Sequence, residues 1–320
     1  MESGKGGLEL PEFAQPKPHW GDHPTLRQVL EAHLAWLEGW PEGKRANLSG
    51  ATLSDLNLEG ANLRKAILRS ATLLGAQLDR VDLSGAELEN ADLREATLLG
   101  ADLSGADLTK ANLSHCWLAE ANLSEAVMRN TNFRKSNLRE VRMLDAIIDD
   151  CDFAGAVLKS AGFHHARAFG CDFSEVDLES ALLYHARIQM CRFVGANATG
   201  ANFSSARLQN CDFRNAQLSG ASFFRADLSR SCLSRALLGG CDFREAKLTA
   251  AEFADALLSN ARFGEATLTA ADLRRANLKG ARELTALQLG HARTDQDTIL
   301  PNGKNGPFMK GSRAERPASW

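Results

Sequence analysis

The chain has 320 residues, 44% hydrophobic, 24% charged and only 7% aromatic, which suits one elongated domain or two compact ones. Its 37 Lys+Arg against 40 Asp+Glu leave a net charge of −3, excluding a wholesale basic nucleic-acid binder and a strongly acidic disordered chain. Seven cysteines with no Cys-x-x-Cys pair argue against a disulfide framework, and no apolar run approaches the ~18–20 residues that span a bilayer.

Residues 1–21 read as a flexible segment. Met1-Glu2-Ser3-Gly4-Lys5 lacks an apolar signal core, so Sec export is not expected and a cytoplasmic location is. Residues 22–45 predict a capping helix: Asp22 as N-cap, Pro24 in the first turn, then Leu26, Val29, Leu30, Leu34 and Leu37 at helical spacing, stopped by Gly39 and Pro41. This helix is expected to lie over the start of the next domain, with Trp36 and Trp40 filling its edge. The alternative is a membrane-surface or partner-binding helix; its polar face is poor in Lys and Arg, which counts against a membrane.

From Ala46 to Gly280 the chain repeats every five residues without insertion or deletion: ANLSG ATLSD LNLEG ANLRK AILRS and onward. Residues numbered with a final 1 or 6 are mostly Ala. Those ending in 3 or 8 are Leu, Phe, Ile or Met, except Ala168 and Ala198. Five residues of α-helix leave a net rotation of about 140°, which smears such a pattern. In a flat strand an odd period sends successive Leu residues to opposite faces. Bending the chain once per unit turns both special residues toward one axis, and the chain coils as a solenoid.

The number of sides follows from rarer residues. Phe occupies third positions ending in 3, such as Phe153, Phe163 and Phe173, and never those ending in 8, so the number of sides is even. Cys151, Cys171, Cys191 and Cys211 each open a Cys-Asp/Arg-Phe triplet and recur every twenty residues, giving four sides. At ~4.8 Å per rung, residues 46–280 make about 12 coils and a rod roughly 56 Å long. The A(N/D)LXX pattern resembles the pentapeptide-repeat family. That resemblance implies an all-β solenoid, a right-handed quadrilateral β-helix; the family includes topoisomerase-protecting proteins, secreted effectors and members of unknown role. Residues 281–301 resemble the closing segment of some members, a short helical piece and one last strand, and the polar, Gly/Pro-rich stretch 302–320 reads as a flexible tail.

The period of twenty stacks outward residues into columns. One holds Leu144, His164, Tyr184, Ser204 and Phe224; the next holds Asp145, His165, His185, Ser205 and Arg225; around the corner run Arg167, Arg187 and Arg207. Stacked like charges repel, so an anion or acidic side chain is expected beside the arginines. Aromatic and Arg anchors are what protein interfaces use. His164, His165, Arg167, Tyr184, His185, Arg187, Arg207 and Phe224 therefore form the candidate partner-binding patch, for an acidic protein surface or a phosphate group; the alternative is drift on a tolerant surface. Ala168 and Ala198 are expected to thin the core there, with Phe169 filling in beside Ala168. A third column, Asp152, Asp172, Arg192, Asp212, Glu252 and Asp272, reads as repeat grammar.

No catalytic residues, metal site or cofactor are assigned. Four cysteines on a line cannot converge tetrahedrally, Asp145 and His185 lie two rungs apart, and a rod offers no deep pocket for tuning a nucleophile. The leading expectation is a non-enzymatic rigid scaffold binding an unidentified protein partner through one side. Alternatives are gyrase protection by DNA mimicry and a secreted bacterial effector. Mimicry needs dense negative charge, yet residues 46–140 carry 10 basic and 13 acidic residues and 141–280 carry 16 of each. Direct nucleic-acid binding and a membrane span are not expected, and the oligomeric state is left open.

Overall fold

The computed structural model describes residues 24–317. The flexible segment expected at 1–21, the Asp22 N-cap and the last three residues of the expected tail lie outside the described residues.

Every five-residue unit solves one problem, the placement of its five N–H groups. In unit 81–85, Val81 N–H closes a turn onto Leu78 O at 3.1 Å, and Asp82 N–H reaches back one coil to Ala61 O at 2.9 Å. Leu83 and Gly85 donate forward one coil, to Asp102 O at 2.7 Å and Ser104 O at 2.8 Å. Ser84 N–H donates to the Asp82 Oδ1 carboxylate at 2.9 Å. The Asn or Asp of the second position is thus the acceptor for the one N–H that the coil cannot satisfy. The fifth residue adopts positive φ (Gly85 φ 62°), which turns the corner.

Parallel bridges join each second residue to the one twenty positions on, in four columns that begin Asn47↔Ile67, Thr52↔Thr72, Asn57↔Gln77 and Asn62↔Asp82. The first and third residues of nearly every unit are buried. On one side Phe133, Phe153, Phe173, Phe193 and Phe213 stack nearly parallel, with ring centroids 4.7–4.9 Å apart. Another ladder, Phe203, Phe223, Phe243 and Phe263, meets it edge-on, as between Phe203 and Phe213 at 6.1 Å and 84°. Phenylalanine keeps to two sides because each ring stacks along its own ladder and presents an edge to the other; such pairs add ~0.5–1.5 kcal/mol beyond burial.

One side departs from the turn pattern. There β1 (Val127–Arg129), β2 (Ile147–Asp149), β3 (Arg167–Phe169) and β4 (Arg187–Gln189) form a parallel sheet in chain order. All four units lack Asn or Asp at the second position. Other units lacking it keep the turn, so losing the side-chain acceptor permits the extended form without dictating it.

Helix α1 (Pro24–Leu37) sends Leu26 and Leu30 into the core cluster, with Val29 half-buried against it. Leu34 is 44% exposed and Trp40 39% exposed, contrary to the sequence expectation. At 100° per residue, His33 lies about 20° from Leu26 around the axis whereas Leu34 lies about 80° away. His33 accordingly takes the buried position, its Nδ1 accepting from Ala46 N–H at 3.1 Å and its ring stacked on half-buried Trp36.

At the other end α2 (Ala286–His291) begins with a capping box of Thr285 and Gln288. Gln288 Nε2 donates to Phe263 O and Ala266 O, carbonyls at the open end of the coil. Arg293 and Ile299 then bridge to Asp272 and Asn277. Up to residue 317 the expected flexible tail makes defined contacts. Leu300 N–H donates to Lys304 O, Asn302 N–H to Ala314 O and Phe308 N–H to Thr294 Oγ1, while Ala314 is buried and Phe308 half-buried against the core. Its few apolar residues anchor an otherwise polar stretch.

Candidate functional site

The candidate patch wraps one corner of the coil. His164 and Tyr184 are fourth residues of their units and His165 and His185 fifth residues, so the corner turn projects them outward; β3 and β4 begin just beyond it. His164 and Tyr184 stack with centroids 4.0 Å apart and planes at 22°. His165 and His185 stack at 5.4 Å and 5°, and Tyr184 meets His185 edge-on at 5.9 Å. The four rings thus form one continuous surface. Partial burial, then the His165 and His185 charges, hold the His164 pKa below 6.5 against the opposing pull of Asp145. His165 and His185 stand in the left-handed region, both at φ 59°.

Phe224 is not part of this stack. Ser204 occupies the rung between Tyr184 and Phe224, and Arg225 and Arg244 sit over the Phe224 ring at 4.8 and 5.6 Å. Arg225 is in turn held by Glu245.

Around the corner Arg167 pairs with Arg187 in backbone register and Arg187 with Arg207, one rung apart each. The expected acidic neighbour is present for the lowest arginine: Asp149 Oδ2 lies 3.2 Å from Arg167 Nη2 and 3.7 Å from Arg129 Nε. Among the described residues no carboxylate lies within ion-pair distance of Arg187 or Arg207, and both side chains are exposed. Ala168 and Ala198 are buried, but Phe169 does not fill in beside Ala168: it is 45% exposed. In an extended strand the fourth residue of the unit points out when the third points in, so Phe169 joins the surface.

Sequence reasoning missed this second outward column, Arg129, Asp149, Phe169 and Gln189. The available signal was the absence of Asn or Asp at Val127, Ile147, Arg167 and Arg187, four times at a spacing of twenty.

The inward ladder of Cys151, Cys171, Cys191 and Cys211 is buried. Desolvation pushes Cys211 up to about 12, as it does Cys116 and Cys241. Cys232 is half-buried, hydrogen-bonded to Ser234, and also raised by burial. The acidic column is committed to structure: Asp152, Asp172, Asp212 and Asp272 each accept the N–H two residues on, and Asp212 and Asp272 also bind Arg214 and Arg274. Among the described residues no three or more His, Cys, Asp or Glu side chains are grouped to hold a metal ion.

A family model described as pentapeptide repeats (8 copies) matches residues 46–85, 80–109, 106–143, 145–174, 226–264 and 246–282, and one described as a pentapeptide repeat region matches 166–243. Among solved structures the chain is similar to HetL, a pentapeptide repeat protein involved in heterocyst differentiation regulation from the cyanobacterium Nostoc sp. strain PCC 7120. The identity is 28% over 85% of this chain and 96% of that one, with a TM-score of 0.25. It is similar to full-length QnrB1, a plasmid-mediated fluoroquinolone resistance protein, at 18% identity over 62% of this chain and 91% of that one, TM-score 0.24. A pentapeptide repeat protein from the Arabidopsis thaliana thylakoid lumen matches at 37% identity over 30% of this chain and 60% of that one, TM-score 0.14. No curated protein matches.

Proposed function

The chain belongs to the pentapeptide-repeat family, whose members are generally non-catalytic scaffolds built as right-handed β-helices, and from that membership we propose that it is a non-enzymatic rigid scaffold binding a protein partner through one corner. In this reading the rod is a quadrilateral of about 12 coils. The segment 22–45, with α1, covers its first coil, and residues 281–301 close the other end, as a solenoid's exposed edges require. The observation that carries the proposal is the continuous outward surface of His164, Tyr184, His165 and His185, set beside two exposed arginines that form no ion pair among the described residues. Rigid rings give contact area at little conformational cost, and unpaired guanidiniums favour a partner with an acidic surface. We set its work in the cytoplasm, where seven free cysteines stay reduced.

Replacing Tyr184, His185, Arg187 and Arg207 together by alanine tests the proposal through affinity capture with mass spectrometry. The expected result is loss of the principal captured partner. Retention of every partner overturns the reading, and quinolone protection of gyrase that survives the quadruple variant replaces it with one based on the rod's charge.

A further inference from the structure

The side bearing β1–β4 differs from the other sides in holding its second, third and fourth residues in one extended strand, so its two outward columns stand on a single ladder. The second residues run Val127, Ile147, Arg167 and Arg187 and continue to Arg207; the fourth run Arg129, Asp149, Phe169 and Gln189. Between them lies an open groove whose walls include Arg167, Arg187, Arg207, Phe169 and Gln189. Its two ends differ in charge. At one, Asp149 pairs with both Arg129 and Arg167 and offsets one of their two charges. At the other, the next acid up the arginine column, Asp227, is already engaged by Ser229 N–H, Ser229 Oγ and Gln209 Nε2. Gln189 Nε2 in turn donates to Gln209 Oε1. Arg187 and Arg207 stand one rung apart and form no ion pair among the described residues, and Phe169 lies exposed on the strand next to Arg187's own.

Two guanidinium forks carried on adjacent rungs, whose backbones lie ~4.8 Å apart, present more donors than one carboxylate can accept. A tetrahedral dianion fills both forks and cancels the repulsion that the column otherwise carries. An exposed phenyl ring adjoining the forks suits a planar group bonded to that anion. We propose that this groove is a binding site for an aryl phosphomonoester: Arg187 and Arg207 hold the phosphoryl oxygens, and Phe169 stacks on the ring. The site is open rather than enclosed, so it takes such a group from a small ligand or from a modified side chain. It rests on the groove itself and not on the docking reading above.

Calorimetric titration of the full chain with phenyl phosphate is the test, alongside inorganic phosphate and benzoate as partial probes. Phenyl phosphate should bind more tightly than either. R187Q/R207Q should weaken it by about tenfold or more, and F169A should bring its affinity down to that of inorganic phosphate. Thermal unfolding of R187Q/R207Q should be no lower than that of the parent, because a repulsion is removed. p-Nitrophenyl phosphate and a peptide bearing O-phosphotyrosine distinguish the sources, and binding of either supports the site. Benzoate matching phenyl phosphate, binding that survives R187Q/R207Q, or no binding of any phosphomonoester overturns the assignment. An unchanged affinity in F169A overturns the ring contact. Failure of phenyl phosphate while the partner is still captured counts against this site alone; loss of the partner reading while phenyl phosphate binds leaves the site intact.

Discussion

At the level of single residues, the repeat sets a conflict between folding and surface chemistry at its fifth position. The left-handed conformation costs a residue with a Cβ about 1–2 kcal/mol, which glycine avoids while giving back roughly 0.5–1 kcal/mol in chain entropy. Some units use glycine there, but most carry a side chain at positive φ, and His165 and His185 carry imidazoles at φ 59°. Their rings stack on each other and His185 meets Tyr184 edge-on, so at these two units the residues that bear the strain also build the outward ring surface. The variant H165G/H185G should therefore unfold in urea at a midpoint equal to or above the parent's, by up to about 1 kcal/mol in stability, while losing partner capture. A clear loss of stability would show that the imidazole stack, not the backbone, dominates the energetics of this corner.

At the level of elements, α1 contains a pH-dependent fastening. His33 is fully buried, and its Nδ1 must stay unprotonated to accept from Ala46 N–H. Burial, aided by the Arg45 and Arg64 cations, holds its pKa below 6.5. The unfolded segment then binds more protons than the folded one between the depressed value and 6.5. Stability conferred by this contact is complete above 6.5 and declines as pH falls through that window. The protection factors of amides in residues 24–37, with the intrinsic pH dependence of exchange divided out, should fall on going from pH 7.5 to pH 5, and H33Q, which keeps an acceptor without a titrating ring, should flatten that dependence. An unchanged pH response in H33Q would refute the role of His33. The helix was legible from Leu26, Leu30 and Pro24, but choosing Leu34 over His33 followed hydropathy where angle decides. The turn units were legible because a strict period constrains every residue in them. β1–β4 were not, because missing Asn or Asp at position two leaves the backbone a choice that neighbouring coils make. Phe169 was misplaced for another reason: fourth residues face outward in strand and turn units alike, and hydropathy was allowed to outrank position.

For the molecule as a whole, recognition is carried by vertical register, a property no single unit possesses. Each coil contacts only its neighbours, so removing one complete coil should leave both ends and the patch intact. Deleting residues 86–105 joins Gly85 to Ala106 with the unit phase and the four sides preserved. The shortened rod should fold cooperatively and retain partner capture and phenyl phosphate binding, with the lost Arg69–Glu87 and Arg45–Glu87 pairs contributing no more than about 1 kcal/mol each. Deleting the single unit 171–175 preserves the five-residue phase but rotates everything beyond it by one side. His164 then lies against Gln189 instead of Tyr184, Tyr184 lies against Lys159, and Arg167 no longer stands below Arg187. Nearly every unit still places a small residue first and a larger apolar residue third, Ala168 and Ala198 being exceptions as before, so circular dichroism should report a folded β-helix, yet capture should fail. The pair of deletions separates the two ways a repeat surface can bind: if the five-residue deletion binds as well as the twenty-residue one, the patch works through isolated side chains, and stacking across coils has no part in its function.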